Sequence, residues 1–240
     1  MQESVTLPCV DGVEREARVL DVDEVAALEQ RIAGEGTPLL ELMARAGAAL
    51  AQVVEKMTAP GERVVVLAGP GNNGGDGWVA ASRLAEAGRD VVLATKEAAE
   101  ALRAEPARTA ALRALERGGF EVAVAPGERR LVEALQGASA VVDAILGTGF
   151  AHDEVRAPYG WWIQLADAAR KDGARIVATA CPSGLNAQTG TPASECIAAD
   201  ATVTMLVPKT GLLKGAATPY VGSLVLAPLG CEELLGYSSR

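Results

Sequence analysis

RVVVLAGPGNNGGDG, residues 63–77, decides the fold. Its first six residues form a valine-rich run that closes on glycine, which reads as a strand buried on both faces, and such strands belong to parallel sheets. Gly69-Pro70-Gly71-Asn72-Asn73-Gly74-Gly75-Asp76-Gly77 follows, and then a helical stretch from Asp76 to Ala87. Glycines at 69, 71 and 74 match the G-x-G-x-x-G of dinucleotide sites, a weak signal on its own. An ordinary Rossmann site also places an acid at the end of the second strand to hold the ribose hydroxyls. Here that stretch reads Thr95-Lys96-Glu97, with the acid one residue late. A sharp strand-to-helix turn explains the glycines but not Asn72, Asn73 and Asp76. Those side chains, and the free N–H groups of the helix that follows, point to a ligand.

Working outward, four further runs read as strands: 90–95 (DVVLAT), 120–125 (FEVAVA), 139–146 (SAVVDAIL) and 175–180 (RIVATA). Helical stretches at 98–117, 129–135 and 160–171 fill the crossovers, with Pro106 a start or break inside the first of them. Alternating strands and helices with right-handed crossovers predict a three-layer α/β/α, Rossmann-like sandwich with a mainly parallel central sheet. Residues 201–206 and 220–227 read as its last strands. Toward the N-terminus, residues 22–34 carry apolar positions at helical spacing. Thr37-Pro38 then opens a second helix to about Met57, whose Leu39, Leu42, Met43, Ala46, Leu50, Val53 and Val54 form one apolar stripe. The expected organisation is one domain over 1–240, with 1–60 a helical extension and 61–230 the Rossmann-like core.

At about 100–200 residues per domain, 240 residues that are 49% hydrophobic suffice for one large core. With 22 Lys+Arg against 31 Asp+Glu the net charge is −9, so a broad basic surface for nucleic acid is excluded. A local anion site of backbone N–H groups is not. No apolar run approaches the ~20 residues that span a bilayer, and no basic-then-apolar leader opens the chain, so neither membrane partner nor export is expected and the reading is cytoplasmic. Cysteines at 9, 181, 196 and 231 form no C-x-x-C pair, which suits free thiols in a reducing compartment. The single histidine, His152, rules out a multi-histidine metal site.

Two more loops carry chemistry. Asp143-Ala144-Ile145-Leu146-Gly147-Thr148-Gly149-Phe150 follows the fourth strand, and in open α/β sheets ligands sit beyond the strands' carboxyl ends where strand order reverses. The first and fourth strands usually flank that crevice, so this loop and the 69–77 loop should face each other. Asp143 in an apolar strand end needs a cation or hydrogen-bond donors, unless it serves only as a cap. Ala180-Cys181-Pro182-Ser183-Gly184-Leu185-Asn186 follows the fifth strand. Ser183 lacks the G-x-S-x-G elbow and suits an oxygen ligand better than a nucleophile. Cys181 beside it reads as buried packing.

These segments together resemble the YjeF N-terminal domain family, the NAD(P)HX epimerases that interconvert the R and S hydrates of NADH and NADPH. The likeness rests on GPGNNGGDGWVAASRLAEAG (69–88), VVDAILGTGF (141–150), PSGLNAQTG (182–190), TMLVPKTGLL (204–213) and LMARAG (42–47). It implies a nicotinamide-dinucleotide hydrate held by Asn72, Asn73, Gly74, Gly75 and Asp76 and by Gly147, Thr148, Gly149, Phe150, Ala151, His152 and Asp153. It also implies a monovalent cation, usually potassium, on Asn73, Asp143 and Ser183, and a homodimer. The dehydratase domain fused to many family members is not expected within these 240 residues, so a separate dehydratase is the implied partner. The family's V-D-I-P-S-G is Thr179-Ala180-Cys181-Pro182-Ser183-Gly184 here, which puts Ala180 where a substrate-contacting Asp is expected. A lowered epimerase rate follows, with Lys209, Asn186 or Asp200 as candidate replacements. The alternatives are a degenerate nucleotide-binding or interaction module, and a changed reaction run by Cys181 or His152.

Overall fold

The computed structural model describes residues 3–237; positions 1–2 and 238–240 of the expected 1–240 span lie outside them. Seven parallel strands form the central sheet: β3 (Arg63–Ala68), β4 (Asp90–Thr95), β5 (Glu121–Val124), β6 (Ala140–Ala144), β7 (Arg175–Thr179), β8 (Ala201–Met205) and β9 (Ser223–Ala227). Their order is β5-β4-β3-β6-β7-β8-β9. The chain builds outward from β3 in one direction and then from β6 in the other, so strand order reverses between these two neighbours.

The alternation of β3 explains the three layers. Val64, Val66 and Ala68 pack into one core with helices α2 (Leu39–Glu55), α3 (Asn72–Glu86) and α4 (Glu105–Arg117). Val65 and Leu67 point the other way, into a second core with α5 (Glu128–Leu135) and α6 (Tyr159–Lys171) around Trp162. Successive side chains of a strand face opposite sides, so an all-apolar run is stable only when both sides are covered. As expected for Pro106, the 98–117 stretch is broken: a 3₁₀ turn at Ala99–Ala101 precedes α4, and the proline lies in the first turn of α4.

Three expectations are corrected. The N-terminal extension is not purely helical, because β1 (Ser4–Pro8) and β2 (Glu14–Arg18) form an antiparallel hairpin ahead of α1 (Val22–Gly34) and α2. Asp11-Gly12 makes its turn: the Asp11 carboxylate accepts the Val13 N–H, and Gly12 takes a φ of 87°. The α2 helix begins at Leu39 with Pro38 as its cap residue, one place later than the Thr37 cap implied. The 220–227 stretch is not one strand, because Thr218–Val221 is helical and Gly222 turns at φ 61° before β9. A Cβ at Gly222 would lie 2.4 Å from the Ala199 carbonyl oxygen. Among the described residues no helix is long and apolar enough to cross a membrane.

Candidate active site

A cleft of about 530 Å³ opens over the carboxyl ends of the strands where their order reverses. Its walls come from three of the loops singled out in the sequence: Pro70 to Asn73 with Asp76, Ile145 to Phe150 with His152, and Ala180. Glu29, Met205 and Lys209 complete it. The residues expected to form a loop at 72–75 are instead the first turn of α3, capped by Gly71. The helix starts there because Gly71 takes an extended conformation and its carbonyl accepts the Gly75 N–H. The amides of Asn72, Asn73 and Gly74 are thereby left without intrahelical partners, next to the cleft.

Two glycines are fixed by backbone crossing. A Cβ on Gly69 would lie 1.8 Å from the Ile145 carbonyl oxygen, and one on Gly74 1.9 Å from the Gly69 carbonyl oxygen. Gly75 faces away from the cleft toward Met43 and Ala107. Of the 147–153 segment, Ala151 and Asp153 do not line the cavity, and the Asp153 carbonyl accepts the Ser194 N–H. His152 is exposed and stacks edge-on to Phe150, with ring centroids 5.9 Å apart.

Beneath the cleft, Asn73, Asp143 and Ser183 come together around Leu146. Asn73 Nδ2 donates to the Leu146 carbonyl at 3.1 Å, and the Leu146 N–H donates to Ser183 Oγ at 2.8 Å. Ser183 in turn donates to Asp143, from its hydroxyl at 2.5 Å and from its N–H at 2.7 Å. Asp143 is fully buried, and burial pushes its carboxyl up to about 6 in spite of those donors. Asn73 is 9% exposed, and its Oδ1 is a buried acceptor with no hydrogen-bond partner among the described residues.

Ala180, Lys209 and Asp76 also line the cleft. Ala180 is the centre of a three-residue turn: its φ is 61°, and the Cys181 N–H returns to the Thr179 carbonyl at 2.7 Å. Leu206, after the adjacent strand β8, repeats that geometry with φ 61° and Val207 N–H to Met205 carbonyl at 2.7 Å. Lys209 is 2% exposed; its Nζ donates to the Met205 carbonyl at 2.8 Å and to Thr204 Oγ1 at 3.3 Å. Burial lowers its pKa to about 8, against the opposing pull of Glu29 and, more weakly, Cys181 and Asp76. Burial, with the nearby Glu29 charge adding to it, raises the Asp76 carboxyl well above the usual carboxylate range.

Other candidates lie elsewhere. Asn186 spends its side-chain oxygen on the Gln188 and Thr189 N–H groups of a turn. Asp200 pairs with Arg170 and accepts the Ile176 N–H at the opposite end of the sheet. Cys181 is buried, its thiol raised by desolvation, and it points to the Leu185 carbonyl. Glu29 is the ionisable cleft residue that sequence reading missed. It stands one place after Leu28 on the face that buries Val25, Leu28 and Ile32, and a charged residue in such a stripe was the available signal.

A model of the family described as YjeF-related protein N-terminus matches residues 39–211. A bifunctional NAD(P)H-hydrate repair enzyme from Hyperthermus butylicus is 37% identical over 210 residues, which cover 86% of this chain and 37% of that protein. The chain spans less than half the length of the bifunctional relatives it matches. An NAD(P)H-hydrate epimerase from Rhodopirellula baltica is 32% identical over 219 residues, covering 91% of this chain and 84% of that protein. Among solved structures, yeast ynu0 shares the fold with a TM-score of 0.72 at 24% identity, covering 87% of this chain and 86% of that one.

Proposed function

Since the chain belongs to the YjeF-related protein N-terminus family, we propose that it epimerises the hydrates of NADH and NADPH. The supporting observation is the cleft at the strand-order reversal, which joins the unpartnered amides of the α3 N-terminus to the ionisable groups of Glu29, Asp76 and Lys209. Hydration of the enamine in a reduced nicotinamide places the hydroxyl on the carbon bonded to the ring nitrogen. Inverting that carbon requires an acid to protonate the departing hydroxyl and a base to take the proton back when water adds to the other face. The glycine turn at 69–71 and the Asn72–Gly74 amides suit a pyrophosphate, which favours a helix N-terminus.

Asn73 Oδ1, the Asp143 carboxylate, Ser183 Oγ and the Leu146 carbonyl are all oxygen donors, as a hard monovalent cation requires. The buried, unpartnered Asn73 Oδ1 is the atom that fits such a cation best. Potassium held there would supply the positive charge facing Asp143, which hydrogen bonds alone leave uncompensated. The chain's own part is to hold Leu146, and with it the 147–150 wall, through Asn73 and Ser183.

A second reading, binding without turnover, is favoured by Ala180, whose methyl group can neither hydrogen-bond the ring nor exchange a proton. Purified protein incubated with a chirally resolved hydrate, with both epimers followed by chromatography and dinucleotide affinity by calorimetry, separates the two. Interconversion supports the epimerase; binding without interconversion supports the second reading. The family resemblance further suggests a cytoplasmic homodimer acting beside a dehydratase, and light scattering at micromolar concentration should give a two-subunit mass.

A further inference from the structure

Glu29 reaches the cleft from outside the segment that matches the family model, which begins at residue 39. Helix α1 is tied over the site at its start. Thr210 Oγ1 and Gln188 Nε2 both donate to Asp21, at 2.7 and 2.8 Å. Leu20 pairs with the Pro208–Thr210 strip that carries Lys209. Two turns further along, at about 1.5 Å per residue, Glu29 stands on the inward face beside Leu28 and Ile32.

There it borders two spaces at once: the main cleft, and an adjoining pocket of about 90 Å³ between α2 and Met205. Asp76 is the other acid common to both. Neither carboxyl makes a hydrogen bond or an ion pair with any described residue, and Lys209 spends two of its three N–H donors on Thr204 and Met205. The two half-buried carboxyls and the remaining N–H of the buried Lys209 all border the cleft, in place for a group that arrives in it. The titratable groups lining the cleft are Glu29, Asp76, His152 and Lys209. Ala180, the position that lacks its acid, lines the same cleft.

Resting on the epimerase reading, we propose that Glu29 is the catalytic acid and base that stands in for the carboxylate absent at Ala180. Protonated Glu29 gives its proton to the hydroxyl of the hydrate. The C–O bond breaks, its electron pair leaving with water, while the ring-nitrogen lone pair forms the C=N bond. Water then adds to the opposite face, the C=N pair returns to nitrogen, and the proton it releases returns to Glu29 through water in the cleft. Nothing is oxidised or reduced, and water is regained. Burial holds the Glu29 carboxyl above its ordinary range, with Lys209 opposing, which favours the protonated form that the first step needs.

The test compares wild type, Glu29→Gln, Glu29→Asp and the double variant Glu29→Gln/Ala180→Asp. Epimer exchange is read by chromatography, and affinity for ADP-ribose, which lacks the nicotinamide, by calorimetry. Loss of one positioned acid–base group lowers kcat by about 10²- to 10⁴-fold. Glu29→Gln should show that loss with less than about threefold change in KM or ADP-ribose affinity. Glu29→Asp should keep part of the rate, and Ala180→Asp should restore part of it to Glu29→Gln. Active wild type with an equally active Glu29→Gln overturns the inference and leaves the epimerase reading standing. Parallel losses of kcat and ADP-ribose affinity overturn it in favour of a packing role. Inactive wild type overturns the epimerase reading and this inference with it.

Discussion

Ala180 and Lys209 each carry a cost that the rest of the fold sustains. A non-glycine residue at φ 61° costs roughly 1–2 kcal/mol in left-handed backbone. Glycine removes that cost but adds about 0.5–1 kcal/mol of unfolded-state freedom. Ala180→Gly should therefore leave urea stability unchanged or raise it by up to about 1 kcal/mol, while Ala178→Gly in the buried strand β7 should lower it by about that amount. Equal destabilisation by both would show that Ala180 is unstrained. Lys209 titrates near 8 in the fold, below the ~10.4 of an unfolded lysine. Between these values the unfolded chain binds more protons, so stability rises with pH; below 8 the full penalty applies, on the order of 3 kcal/mol. Lys209→Met should accordingly be about 1–3 kcal/mol more stable than wild type at pH 7, the gain fading toward pH 10. A gain that grows with pH would contradict this origin.

Packing of α2 against α3 depends on Gly47, where a Cβ would sit 2.4 Å from Val79 Cβ and 2.7 Å from the Asp76 carbonyl oxygen. Met43, one turn earlier, occupies the matching space over Gly75. The LMARAG stretch is thus a contact surface that sets the position of α3, and with it Asn72, Asn73 and Asp76. Because the obstruction includes backbone, Gly47→Ala should cost about 1–3 kcal/mol in urea denaturation. It should also weaken dinucleotide binding, because the α3 amides shift. Unchanged stability and affinity would mean that α2 moves away freely. At the same scale the β1–β2 hairpin escaped the sequence reading. Arg15, a charge at an inward position of β2, masks the alternation, and only Asp11-Gly12 marked the turn.

The whole molecule should respond to the cation proposed for Asn73, Asp143 and Ser183. A ligand that binds only the folded state stabilises it by ~2.7 kcal/mol at 100 times its Kd, or about 5–10 °C in Tm at this size. Replacing choline chloride by potassium chloride at constant ionic strength should raise Tm by several degrees in wild type and by much less in Asn73→Ala. An equal rise in both would place the effect elsewhere.

Periodicity and the valine-rich β3 were enough to read the sheet, its layers and the strand ends where the cleft opens, because burial on two faces imprints a continuous apolar run. The glycines of 69–77 were legible as a close approach, though not that Gly69 yields to Ile145 and Gly74 to Gly69. The union of Asn73, Asp143 and Ser183, 110 residues apart at its extremes, was implied only through resemblance; the crossing of strand ends realises it. The sequence also left open which of Lys209, Asn186 and Asp200 faces the site. Strand direction decided that: Asp200 precedes β8 and lies at the far edge, while Lys209 follows β8 and lies at the near one. For Glu29 the stripe of α1 marks only a charge on an inward face; its place over the cleft was decided by tertiary structure, through the ties of Asp21 to Gln188 and Thr210, contacts about 170 to 190 residues apart that leave no local pattern.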